Sequence, residues 1–251
     1  MLGMRSYSAG IYGDAVADVY DELVEPLSGQ TAATVEFLAD LARGGQALEL
    51  GVGTGRVALP LAARGVAVHG IDASPKMLDR LRDKAGDMRV TTSVGDFGAV
   101  AVHGEFDVVY VVFNTFYGLP TQDEQLECVR RVAAVLRPGG TFVVEAFVPD
   151  HARFDGKGGI TADGTDAGRL DVARHDPVGQ NIFARQVLHT EDGTKLLPVH
   201  MRYVWPAELD LMARIAGLRR VERFGGWSRE PFTAASANHV SVYSRTSDPD
   251  R

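Results

Sequence analysis

Gly51, Gly53 and Gly55 alternate with Val52 and Thr54 between the apolar run Ala47-Leu48-Glu49-Leu50 and a helical pattern that opens at Arg56. Glycines there permit a tight turn and let a ligand lie against the backbone. The helix that follows offers N–H groups without intrahelical partners. A pyrophosphate loop needs Gly-x-Gly-x-x-Gly, whose third glycine lets the helix pack close to the strand. Arg56 stands at that third position and is too bulky for it, so the loop suits a ligand without a pyrophosphate. Two acids flank it. Glu49 lies two residues ahead of Gly51, and Asp72 ends a second apolar run 17 residues after Gly55, where a ribose-binding carboxylate belongs. A carboxylate accepts two hydrogen bonds, matching a vicinal diol. Taken singly, Glu49 reads as a counter-charge to a helix terminus and Asp72 as a turn residue. In this order and spacing they read as a nucleoside-binding pair.

The elements that must position these residues alternate. Helices are expected over Asp14–Leu27 and Thr31–Arg43, then a strand over Gln46–Leu50, a helix over Arg56–Arg64 and a strand over Val66–Ile71. Ser74-Pro75 opens the next helix, a capping serine before a first-turn proline. Strands over Arg89–Val94, Phe106–Phe113 and Thr141–Phe147 follow, with a helix over Asp123–Leu136 stopped by Arg137-Pro138-Gly139-Gly140. Val108–Val112 is apolar on both faces, as in a central parallel strand covered by helices. Beyond Asp150, residues 151–165 read as a long Gly- and Asp-rich loop. Strands are expected over Arg169–Arg174, Asn181–Thr190 and Lys195–Trp205, the last two joined at Asp192-Gly193. A helix over Pro206–Ala216 and strands over Arg219–Phe224 and His239–Ser244 close the pattern. The fold expected is doubly wound α/β, a Rossmann-like seven-stranded sheet with an antiparallel β insertion after strand 5. Its parts are a helical lid segment (1–45), the α/β core (46–150), the insertion (151–205) and a closing helix with two core strands (206–251).

Composition narrows the classes. With 251 residues, 45% of them hydrophobic and 24% charged, the chain can bury a full core, which excludes disordered, collagen-like and coiled-coil readings. A net charge of −7 without a basic block argues against a nucleic-acid partner. Cys128 is the one cysteine, so no intrachain disulfide forms, no Cys-based zinc site assembles, and no metal is expected. Met1–Tyr7 lacks the apolar stretch of a signal peptide, and no run approaches the ~18 residues of a membrane span. A cytoplasmic protein with no membrane partner is expected.

Four stretches together carry a likeness: Glu49-Leu50-Gly51-Val52-Gly53-Thr54-Gly55, Gly70-Ile71-Asp72-Ala73-Ser74-Pro75-Lys76-Met77-Leu78, Val94-Gly95-Asp96-Phe97 and Leu136-Arg137-Pro138-Gly139-Gly140. In order and spacing, from Tyr12 to Phe147, the chain resembles the class I S-adenosylmethionine-dependent methyltransferases of the small-molecule type. The resemblance implies S-adenosylmethionine as methyl donor and S-adenosylhomocysteine as product. It places Gly51, Gly53 and Gly55 under the methionine arm with Glu49 near its amino group, and gives the ribose hydroxyls to Asp72. Met77 would pack on the adenine face, with Asp96 accepting from the adenine amino group and Phe97 beside the ring. Ala73, Gly95 and Tyr20 join this set, and Phe113 borders the methyl. Tyr12, followed by Tyr20-Asp21, resembles the N-terminal segment of enzymes that methylate amino groups of nucleotide-linked sugars. In that group the tyrosine closes over the cofactor, and the insertion lids the site or builds a homodimer. The histidine that some of these place beyond the fourth strand is missing here, where the run is Phe113-Asn114-Thr115-Phe116-Tyr117.

Methyl transfer from a sulfonium requires a nucleophile held close to the methyl carbon and water kept out. A neutral amine needs little else, whereas a hydroxyl needs a base. Tyr12, His151 and His175 are the catalytic candidates. Asn114, Phe116, Tyr117, Phe147, His200 and Trp227 are candidates for the pocket of a small-molecule acceptor. The expected function is methyl transfer to nitrogen or oxygen of a small molecule, in bacterial secondary metabolism. The alternatives are carbon methylation of an electron-rich ring, nucleic-acid methylation, and nicotinamide-dependent oxidoreduction. Arg56 argues against the last.

Overall fold

The computed structural model describes residues 9–24, 28–150, 160–165, 169–190 and 193–245. Its elements begin with helices α1 (Ala9–Val16), α2 (Tyr20–Val24) and α3 (Ser28–Ala42). Next come β1 (Gln46–Leu50), α4 (Ala58–Ala63), β2 (Ala67–Asp72), α5 (Pro75–Ala85), β3 (Val90–Val94) and β4 (Phe106–Val111). A single 3-10 turn (Thr115–Gly118) leads to α6 (Gln122–Val135) and β5 (Leu136–Phe147). The strands β6 (Ile160–Thr165), β7 (Arg169–Asp176), β8 (Asn181–Thr190) and β9 (Gly193–Arg202) precede α7 (Pro206–Ile215), β10 (Leu218–Phe224) and β11 (Asn238–Arg245).

Seven strands form one sheet in the order β10-β11-β5-β4-β1-β2-β3. Strands β1 to β5 pair in parallel, and β11 runs antiparallel to both its neighbours. The chain moves from β1 outward to β3, then crosses back to β4. The order therefore reverses between β1 and β4, and a crevice opens at their carboxyl ends. Alternation along the central strands feeds two cores. Leu48, Leu50, Val109, Val111, Phe142 and Val144 face α6 and α7. Ala47, Val108, Tyr110 and Val143 face α3, α4 and α5. This two-sided burial is why the strands read as nearly continuous apolar runs.

Strands β6 to β9 form a separate antiparallel sheet. Its tie to the core is apolar through Ile182, Ala173 and Met201 and polar through Arg202. Arg202, at the end of β9, donates to Gln125 of α6 at 2.5 Å and to Glu208 of α7 at 2.8 Å, and the Gln125 amide donates back to the Arg202 carbonyl at 2.7 Å. A buried guanidinium with this many partners fixes geometry more than it adds stability.

Several expectations need correction. The helix expected over Asp14–Leu27 is two helices, because a turn closed by Val19 N–H donating to the Val16 carbonyl interrupts it. The break lets Val16 and Ala17 turn inward while Asp18 and Asp21 pair with Arg80 and Lys84 of α5. The loop expected over 151–165 contains strand β6. Its Gly-Asp composition hid it, because pairing with β7 and not its own residues holds it extended. The helix after the glycine loop opens at Ala58, not Arg56. Strand β4 stops at Val111, short of Phe113, because Phe113 and Asn114 turn left-handed with φ of 55° and 60°. Strand β9 stops at Arg202, short of Trp205. The Arg137–Gly140 turn appears as a register jump within β5, with Gly139 at φ 79°.

Candidate active site

The glycine loop caps β1 at the crevice. Gly51, Gly53 and Gly55 have φ of 72°, 54° and 87°, a region that L side chains rarely adopt. A Cβ on Gly51 would collide with the methyl of Thr115, so the loop lies directly against the segment after β4. Asp72 holds the loop from below. The Gly53 N–H donates to its Oδ2 at 2.8 Å, and the Ser74 N–H donates to its Oδ1 at 2.8 Å. Burial raises the Asp72 carboxyl above the usual range, while these backbone donors pull it back. Ser74 then caps α5, its hydroxyl accepting from the Met77 N–H at 3.2 Å.

Glu49 lies beneath the loop, 2% exposed. Its Oε2 accepts from the Tyr110 hydroxyl at 2.9 Å. Burial pushes its carboxyl up to about 8, with Tyr110 and Arg56 opposing and Asp72 adding to the rise. Arg56 swings away from the loop, donates to Thr31 Oγ1 at 2.9 Å, and sets its guanidinium 5.5 Å from the Phe113 ring centre. Its positive field reaches Glu49, Asp72-linked Tyr20 and Glu145.

The N-terminal helices cover this crevice. Gly10 abuts the Ala73 carbonyl and Gly13 abuts Ser74, so α1 sits flush on the turn after β2. Met77 packs with Val16, Ala17 and Leu197, flanked by Tyr12 and Tyr20. The Tyr12 hydroxyl donates to Gln186 of β8 at 3.2 Å. The Tyr20 phenol is raised, chiefly by burial and next by Tyr12. Gly95 donates to the Asp72 carbonyl at 2.9 Å, Phe97 is buried beside it in the core, and Asp96 is exposed with Oδ1 accepting from Gly98 N–H at 2.8 Å.

On the opposite side of Phe113 is a carboxylate the sequence reading missed. Glu145 of β5 accepts the Phe113 N–H on Oε2. Burial raises its carboxyl, while that N–H and Arg56 lower it. It lines a cleft of about 300 Å³ with Gln30, Trp227, Glu230, Asn238 and Val240. The signal was present, since an acid inside Phe142-Val143-Val144-Glu145-Ala146-Phe147 is expensive to bury without a purpose.

Residues 47–140 match the family described as a methyltransferase domain. The cypemycin N-terminal methyltransferase of a Streptomyces species is 32% identical over 244 residues, spanning 94% of this chain and 98% of that protein. The solved CcbJ methyltransferase of Streptomyces caelestis is 42% identical, covers 96% of this chain and 100% of its own, and superposes with a TM-score of 0.85. The sugar N-methyltransferase KedS8 of a Streptoalloteichus species shares the fold at 21% identity and a TM-score of 0.64, over 96% of this chain and 98% of its own. This chain belongs to the S-adenosylmethionine-dependent methyltransferases.

The residues present fit the methyl donor of that family. A Cβ at Gly53 would meet only the Tyr20 ring, at 3.9 Å, which leaves a slot between loop and ring for an aliphatic arm. The buried carboxylates of Glu49 and Asp72 suit an ammonium and a diol. Membership sets aside the nicotinamide alternative.

The candidate acceptor and catalytic residues divide. Trp227 lines the cleft, packed edge-on against Phe37. Phe116 and Tyr117 are fully buried, and the Tyr117 hydroxyl donates to the Phe147 and Val204 carbonyls at 2.8 and 3.1 Å. They belong to the core and not to a pocket wall, because a helix-side aromatic here fills the space under α6 and α7. Phe147 packs edge-on against Tyr117 on that same face, away from the cleft. Asn114 uses its side-chain oxygen to accept the Phe147 N–H at 2.7 Å, a tie between strand ends. His175 is sealed to 5% exposure against the Tyr203 hydroxyl at 3.0 Å, so it packs the second sheet in place of the base expected of it. His200 stacks on Phe183 and meets Asn181 at 2.8 Å on that sheet, outside the cleft lining. His151 lies outside the described residues. Among the described residues no helix is long and apolar enough to cross a membrane, and no group of three His, Cys, Asp or Glu could hold a metal ion.

Proposed function

We propose that this methyltransferase acts on an amine nitrogen of a small molecule or peptide, and that the acceptor enters the cleft above Glu145. The cleft itself carries the reading. Glu145, Glu230 and Trp227 line it, and among the described residues no lysine or arginine does, so it offers carboxylates and an aromatic face to a cation. It adjoins Phe113, whose segment touches the glycine loop through Thr115. A relative similar along nearly its whole length is named as a methyltransferase of an N-terminus. When bound, S-adenosylmethionine supplies a methyl on a sulfonium sulfur; the nitrogen–carbon bond forms as the carbon–sulfur bond breaks, and that bond's electron pair stays on sulfur.

The chain's own residues do the rest. Gly51, Gly53 and Gly55 give backbone to the methionine arm, Glu49 takes its ammonium and Asp72 the ribose hydroxyls. Met77, Ala73, Gly95, Asp96 and Phe97 border the base, with Tyr12 and Tyr20 closing over it. Phe113 separates the donor pocket from the acceptor cleft. Excluding water strengthens each of these polar contacts.

The experiment is a mass-spectrometric transfer assay with three probes: n-butylamine, trialanine, and the phenol N-acetyltyramine. Methylation of the amines with the phenol untouched is the expected result. Transfer to the phenol alone overturns the reading.

A further inference from the structure

Glu145 is set up for more than binding. Its Oε2 is occupied by the Phe113 N–H, and among the described residues Oε1 takes no hydrogen bond while the side chain lines the cleft. That N–H reaches the carboxylate where Phe113 and Asn114 both adopt left-handed backbone, a conformation unfavourable for residues other than glycine. Strain of this kind persists where the surroundings over-determine it, and it clusters at functional positions. Here it turns one backbone amide onto one carboxylate at the boundary between the two pockets.

An alkyl amine arrives protonated. With an ordinary value near that of lysine, about one molecule in 2,500 is neutral at pH 7. The ammonium has no lone pair to give, so something must remove a proton in place. We propose that Glu145 is that proton acceptor, with Oε1 as the receiving atom and the Phe113 N–H as the group that positions it. This rests on the amine reading above. One proton moves from nitrogen to Oε1, the nitrogen keeps the pair, the carboxylate becomes neutral, and the proton passes to solvent when the product leaves.

The surrounding charges suit the task. Burial raises the proton affinity of Glu145, which makes it a better base than a surface glutamate, and Arg56 keeps the rise in check. Glu230 and Trp227 face it from the segment between β10 and β11, Asn238 from β11 and Gln30 from α3. Tyr117 feels its charge from the far face of the sheet. Arg56 is the cation whose field it registers.

Glu145→Gln keeps the shape and an oxygen for the Phe113 N–H but cannot take a proton. The expected result is a fall of about 10²–10⁴-fold in kcat/KM for n-butylamine, which is almost wholly protonated at pH 7. S-adenosylhomocysteine affinity by calorimetry should stay within twofold. Wild-type kcat/KM should show an acid limb, whereas the variant's should climb steadily toward the amine's own value. Equal kcat/KM and an unchanged acid limb in the variant overturn the role of Glu145 and leave the amine reading standing. A wild-type enzyme that methylates N-acetyltyramine and neither amine overturns both. If Glu145→Gln does not fold, the wild-type profile decides: absence of an acid limb overturns the proposal.

Discussion

Replacing Glu49 with glutamine tests the electrostatics under the glycine loop. The wild-type carboxyl is 2% exposed, with burial pushing it from an ordinary 4.5 to about 8. That difference corresponds to roughly 5 kcal/mol in favour of the neutral form, an upper figure because relaxation and water entry lower it. The folded value is raised, so its stabilisation is complete below the unfolded value near 4.5 and is lost as pH rises through about 8. Glutamine does not titrate. The stability of Glu49→Gln relative to wild type should therefore climb between pH 4.5 and 8 and level off above it, with a gain of about 2–5 kcal/mol. Urea midpoints for both proteins from pH 5 to 9.5 measure this. Parallel curves would refute the account.

The same carboxyl makes a second, independent signal. At pH 7 a group titrating near 8 holds about 0.9 proton. An ammonium placed beside it favours the charged form, so donor binding should release most of that proton. Calorimetry in buffers of different ionisation enthalpy should show the release in wild type and none in Glu49→Gln. Absence of release in wild type would refute the placement of the amino group at Glu49.

Asp72→Ala removes the acceptor of two backbone N–H groups at 2.8 Å and should weaken S-adenosylhomocysteine binding by about 1–3 kcal/mol; unchanged affinity by calorimetry would detach Asp72 from the ribose. Tyr12→Phe loses the hydrogen bond to Gln186 and should lower turnover several-fold while the urea midpoint moves by no more than the ~1 kcal/mol of one such bond; equal turnover would leave Tyr12 a packing residue. Gly51→Ala combines a left-handed φ with a collision at Thr115 and should cost about 1–3 kcal/mol. Adding Thr115→Gly, which removes the struck methyl, should recover the steric part, and identical midpoints for single and double variants would show that no collision exists.

The glycine loop and the turn after β2 were legible because local rules set them. The glycine spacing, Ser74-Pro75 and the acid ending β2 act within a few residues of themselves, and pattern reading finds such features. The acceptor side depends on contacts between distant segments. Phe116 and Tyr117 follow the fourth strand, where a pocket wall is expected, yet the left-handed pair Phe113-Asn114 redirects the chain and sends both rings into the core under α6 and α7. The sequence has no glycine at either position to warn of that turn. His175 and His200 lie on the insertion, where a base near the site is expected, but their surroundings come from neighbouring strands of an antiparallel sheet. Glu145 sits inside the nearly continuous apolar run Phe142–Phe147, a pattern that marks burial and not function. Its meaning appears only when α3, β11 and the segment after β10 close a cleft around it.

The elements packed over the turn after β2 come from both sides of the core in sequence. Helices α1 and α2 precede it and the β6–β9 sheet follows it, and the two meet over Met77. The ion pairs that fasten the helices, Asp18 with Arg80 and Asp21 with Lys84, are exposed and contribute little. What joins these helices to the core is the small patch of Val16, Ala17, Met77 and Leu197, with the Ser74–Asp14, Thr54–Asp21 and Tyr12–Gln186 hydrogen bonds around it. Leu197 lies on the same strand as Arg202, whose partners Gln125 and Glu208 anchor that sheet to α6 and α7. The sheet is thus fixed at one end and rests on the N-terminal helix at the other. Lifting α1 would expose Met77 and strip Leu197 of its packing at once, so the helix and the sheet edge are held by the same side chains.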